Sequence, residues 1–173
     1  MSFEVSFVMP FARMDTWKEL VAERPLGVSP ATTVTIDAKG EDTSKPVSLG
    51  TVRSVTISNG DNVSKTSSRC VEYVEGKVVA WEMLVQEGTE FKLIGDTTGE
   101  PRTEMTLADV PMGTRMKLSY VCNKVVWNSA CCSGDARDAF MARFEGLDNF
   151  WCDEMVARGN TPLIGIDHVR PSL

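Results

Sequence analysis

Few side chains in this sequence are spaced for acid–base or nucleophilic work. The one histidine, His168, lies near the C-terminus, where an exposed tail position is expected rather than a Ser-His-Asp site. Carboxylates are better placed. Glu72 and Glu82 fall in extended stretches, and Glu72 stands two residues from Cys70 and from Val74. On a period of two these three residues share a face. If that face walls a cavity, burial raises the Glu72 pKa. Arg53 shares a face with Thr51 and Val55 and is expected to pair with Glu72 on a neighbouring strand. Such a pair would orient a ligand carbonyl or hydroxyl. On an outer surface it would be a cross-strand ion pair worth about 0.2–1 kcal/mol. Tyr73 and Tyr120 offer phenolic hydroxyls. Tyr120 alternates with Leu118 and Met116, so it is expected to point inward, where its hydroxyl needs a partner. No catalytic set is assigned.

Metal and redox chemistry have less support. The five cysteines, Cys70, Cys122, Cys131, Cys132 and Cys152, form no C-x-x-C pair, and their odd number does not fit a secreted disulfide framework. With one histidine, a zinc site is not expected. Adjacent Cys131 and Cys132 would be redox-sensitive or plain reduced thiols. The net charge is −6 and the basic residues are scattered, which argues against nucleic acid as partner. No basic start with a long apolar run opens the chain, and no stretch of about 18 apolar residues occurs. A cytoplasmic protein without a membrane span is expected.

The elements that must position these residues are set by periodicity. Phe3, Val5 and Phe7 alternate with Glu4, Ser6 and Val8, the pattern of a strand with one apolar face, and Pro10 ends it. Phe11, Met14, Trp17, Leu20 and Val21 recur at helical spacing up to Arg24-Pro25. Extended segments are then expected over 28–37, 47–58, 63–74, 77–85, 102–107 and 114–121. Asn59-Gly60-Asp61-Asn62, Glu75-Gly76, Glu87-Gly88 and Pro111-Met112-Gly113 are turn signals. The stretch 90–96 reads as a short strand or an irregular return. The clearest alternation sets Thr114, Met116, Leu118 and Tyr120 against Arg115, Lys117 and Ser119, as in an antiparallel sheet with one solvated side. From Asp135 onward, Ala136, Phe140, Phe144, Leu147, Trp151 and Met155 recur every three or four residues. That spacing predicts an amphipathic helix of roughly six turns, with Gly159 past its end.

A single sheet with one apolar face needs a cover, and the last helix is the long amphipathic element available. The expected fold class is therefore α+β: a curved antiparallel sheet of six to seven strands around a long C-terminal helix, with two short helices after the first strand. Residues 1–158 would form the domain and 159–173 a C-terminal tail. A sheet curled on one helix leaves space that side chains either fill or line. The candidate ligand-binding residues are Arg53, Glu72, Trp81, Met83, Met105, Met116, Tyr120, Phe144 and Trp151, with neither metal nor cofactor.

This order of elements, together with Leu49-Gly50-Thr51-Val52-Arg53, Arg69-Cys70-Val71-Glu72-Tyr73, Gly113-Thr114-Arg115-Met116-Lys117-Leu118 and the aromatic helix from Phe140 to Met155, resembles the START-like or SRPBCC superfamily. The likeness is strongest to its polyketide cyclase/dehydrase and Bet v 1-like branches and covers roughly residues 3–158. The glycine-rich loop of the plant Bet v 1 proteins is not evident between Asp37 and Val47. The resemblance implies a helix-grip fold and an internal site for a hydrophobic small molecule such as a lipid or polyketide, in a carrier or sensor. It also implies two alternatives: a cyclase/dehydratase-type enzyme working on a hydrophobic substrate, and a protein-interaction module like the chaperone-binding relatives.

Overall fold

The computed structural model describes residues 2–27, 29–84, 102–121 and 145–164. Seven strands and two helices occur among them: β1 (Ser2–Met9), α1 (Arg13–Leu20), β2 (Thr32–Ala38), β3 (Val52–Asn59), β4 (Asn62–Val74), β5 (Val78–Leu84), β6 (Arg102–Val110), β7 (Gly113–Val121) and α2 (Leu147–Ala157). The strands form one antiparallel sheet in the order β1-β7-β6-β5-β4-β3-β2. Strands β2 to β7 are a meander, with tight turns joining β3 to β4, β4 to β5 and β6 to β7. β1 crosses to the far edge, pairing Val5 with Leu118 and Phe7 with Met116. The sheet with its helices is the α+β helix-grip fold that the resemblance implies.

The expected alternation of β6 and β7 holds. Met105, Leu107, Thr114, Met116 and Leu118 are buried, while Arg115 is exposed. Several boundaries differ for physical reasons. β2 begins at Thr32 rather than at 28, because Ser29-Pro30 makes a turn closed by the Thr32 amide on the Ser29 carbonyl (3.0 Å). The stretch expected as one strand over 47–58 starts pairing at Val52. Upstream, the Ser48 amide donates to Thr51 Oγ1 (2.9 Å) and the Thr51 amide to the Ser48 carbonyl (3.1 Å), which folds those residues into a turn with Ser48 and Thr51 buried. One helix, α1, comes after β1, and the chain then bends toward Pro25.

The C-terminal helix does not run unbroken through Gly146. That residue has φ +73° and caps α2 at its N-terminus, a conformation that glycine adopts without a Cβ penalty. The expectations for 85–101, for 122–144 and for His168 lie outside the described residues. The sheet's concave face and the helices enclose a core that includes Met9, Phe11, Trp17, Trp81, Met116, Leu118, Leu147, Trp151 and Met155. Trp151 is held by its indole N–H, which donates to the Gly27 carbonyl (2.6 Å), and by the edge of Phe7 (ring centroids 5.7 Å apart).

Candidate functional site

Residues facing each other across an antiparallel pair share a side of the sheet. The registers Ile36↔Arg53↔Ser68↔Met83 and Cys70↔Trp81 therefore place those six residues on one side. With Met105, Met116 and Leu118 they make up the concave face.

Glu72 is not among them. The β4–β5 register shifts between Cys70 and Glu72: Cys70 faces Trp81, but Glu72 faces Ala80. A bulge adds one residue and turns the residues after it to the other side. Glu72 thus stands on the convex face beside Glu104, which also lies opposite Ala80. There Arg102 Nη2 donates to the Glu72 carboxylate and to Glu104 Oε2 (2.9 Å). Burial lowers the Arg102 pKa, but its two carboxylate partners outweigh that and raise it. The expected Arg53–Glu72 pair is accordingly not formed, and the shared face of Cys70, Glu72 and Val74 is corrected by the bulge at Val71.

Arg53 does sit on the concave face. It is 8% exposed. Its Nε donates to Ser68 Oγ across the β3–β4 pair (3.2 Å), and its guanidinium lies 3.8 Å from the centre of the Trp81 ring. That is a stacked cation–π contact. Burial lowers its pKa to about 9, which still leaves it protonated at neutral pH. Beside it, burial pushes the Cys70 thiol up to about 11, so Cys70 is an unreactive protonated group.

Trp81 (2% exposed), Met105, Met116 (0%) and Trp151 (0%) are packed into the core. A side chain lining a void large enough for water keeps accessible surface, and these keep almost none. Met83 is half-buried. Tyr120 stands in β7 opposite Thr103 and Phe3, with its side chain outside the described residues, as is all of Phe144.

Open space lies at the other end of the sheet. Along β2, β3 and β4 the concave positions Val34, Ile36, Val55, Ile57, Thr66 and Ser68 are half-buried. Next to them is a groove of about 990 Å³. Strand β2 forms one wall, residues 23–27 with Ser29 and Pro30 and α2 the other, with Pro25, Val34, Ile36, Pro46 and Phe150 as apolar lining and Glu23, Arg24, Asp37, Lys39, Glu154 and Arg158 as charged lining. None of the nine residues expected from the sequence is among the described residues that line it. Val34 and Ile36 are visible in the sequence as a shared strand face, whereas Phe150 gives no separate signal beside Trp151. Arg158, from the end of α2, also donates to Glu19 Oε2 (3.1 Å) and to the Arg24 carbonyl (2.6 Å), fixing the groove's helical wall to α1 and to the segment just after it.

No family model and no curated protein matches the sequence. Solved structures do match. Protein Ms6760 from Mycobacterium smegmatis superposes with a TM-score of 0.63 at 9% identity, covering 91% of this chain and 92% of its own. Ara h 8.0201 gives 0.57 at 15%, covering 91% and 98%. The Aha1 dimer from Colwellia psychrerythraea gives 0.56 at 7%, covering 86% and 94%. At such identities the likeness concerns the fold: the chain has the Bet v 1-like helix-grip fold of the START-like/SRPBCC proteins.

Proposed function

We propose that the chain binds an apolar small molecule, a lipid, polyketide or similar compound, as a carrier or sensor, and that the groove between β2 and α2 is where it enters and rests. The carrying observation is the asymmetry of the concave face. Its middle, around Trp81, Met105, Met116 and Leu118 on β5 to β7, is packed shut, while along β2, β3 and β4 it keeps accessible apolar surface beside a groove of about 990 Å³. That volume is at the upper end for a drug-sized ligand, about 300–1,000 Å³. The cyclase/dehydratase reading loses its carboxylate, because Glu72 faces outward into an ion pair.

A neutral environment-sensitive dye such as Nile red tests this. Wild type is expected to bind it with a blue shift, and Val34→Trp, which fills the groove from a half-buried edge-strand position, is expected to weaken binding at least tenfold. Equal affinity in both proteins would remove the groove as the site. No binding to either would favour the protein-interaction reading.

A further inference from the structure

Arg53 differs from the other arginines that make polar contacts with carboxylates. Arg13, Arg102 and Arg158 each have a carboxylate partner although their side chains are 26%, 31% and 26% exposed. Arg53 is far more buried, yet among the described residues it has no carboxylate within ion-pair distance and one hydrogen bond, from Nε to Ser68. A guanidinium carries five N–H donors. Its terminal NH₂ groups therefore face no protein acceptor among the described residues. The Trp81 ring, its centre 3.8 Å from the guanidinium carbon, stabilises the cation on one side.

Arg53 does not line the groove but stands next to its wall. Arg53 lies directly opposite Ile36 of the groove wall and on the same face. From there its side chain extends over β4 to Trp81 on β5. β2 to β5 is three strand spacings, roughly 14 Å. Between them Val55, Ser68 and Met83 on the concave face are half-buried rather than sealed.

Resting on the reading of the groove as the ligand site, we propose that the ligand is an elongated apolar acid, its body against Val34, Ile36 and Val55 and its anionic head paired with Arg53. A guanidinium centred 3.8 Å from the Trp81 ring suits a two-oxygen anion, with which arginine pairs in a bidentate way.

The test is a matched pair of fluorescent probes, cis-parinaric acid and its methyl ester, titrated at pH 8 into the full chain. The acid is expected to bind at least tenfold more tightly than the ester. Arg53→Met, close in length but uncharged, is expected to bind both with the ester's affinity, and Arg53→Lys to keep part of the preference. Equal affinities for acid and ester in wild type would overturn the anionic-head proposal and leave the groove reading standing; failure to bind either probe would overturn both. Because wild type alone gives the acid-to-ester ratio, the test survives a variant that fails to fold.

Discussion

Met116 and Met83 lie on the same face of the sheet and carry the same side chain, yet the structure gives them different work. Met116 is fully buried, between Phe7 on β1 and Leu107 on β6, so Met116→Ala leaves a cavity that a two-sided strand neighbourhood cannot close. The expected loss is about 2–5 kcal/mol. Met83 is half-buried at the open end, and Met83→Ala should cost well under half as much. Urea denaturation of both variants checks this, and equal losses would mean that the open end is as tightly packed as the closed one. The pair also shows what single residues reveal. Both methionines are legible in the sequence as inward-facing, because alternation reports the side of a sheet. Whether the inner side is filled or open at that point depends on what arrives from elsewhere in the chain. Glu72 marks the other limit. Arg69 to Val74 alternates in either register, and nothing in its composition announces the extra residue at Val71 that sends the carboxylate outward.

At the scale of elements, the join between β1 and β7 depends on the hairpin at Gly113. This residue has φ +141°, and a Cβ there would lie 2.1 Å from the Met9 carbonyl oxygen and 3.1 Å from the Phe11 amide nitrogen. The atoms in the way are backbone, which has nowhere to retreat, since the Thr114 hydroxyl also donates to the Phe11 carbonyl (2.8 Å). Gly113→Ala is therefore expected to cost at least about 2 kcal/mol, combining backbone strain with the clash. Thermal melting should show the loss; a variant as stable as wild type would mean that β1 docks without this close approach. The turn itself is readable from Pro111-Met112-Gly113, and so are the pairings β3–β4, β4–β5 and β6–β7, because short connections leave an antiparallel sheet few alternatives. The start of the last described helix at Leu147 is less readable. Aromatic spacing continues across Gly146 as though the helix were continuous, while the backbone there adopts the left-handed conformation.

For the whole molecule, the groove is assembled from segments far apart in sequence: 23–27 with Ser29 and Pro30, β2 with Lys39, Pro46, and Phe150, Glu154 and Arg158 in and just after α2. No local pattern encodes such a meeting, which is why the sequence points to the core residues instead. The assembly has a mechanical consequence. β2 is an edge strand, paired with β3 alone, and its concave positions are half-buried, so its amides should exchange through local openings while those of β6 and β7 wait for global unfolding. A ligand that binds only the folded chain, at a concentration about 100-fold above its Kd, stabilises by about 2.7 kcal/mol, roughly 5–11 °C in melting temperature for a chain of this size. That gain slows exchange in β6 and β7 wherever the ligand sits. The β2 amides discriminate. If the groove is occupied, a local opening of β2 destroys the site, so saturation with cis-parinaric acid should slow exchange up to about 100-fold at Thr33 and Thr35, whose amides face β3. If β2 exchanges at its unliganded rate while the melting temperature rises, the acid binds elsewhere and the open end of the sheet has some other use.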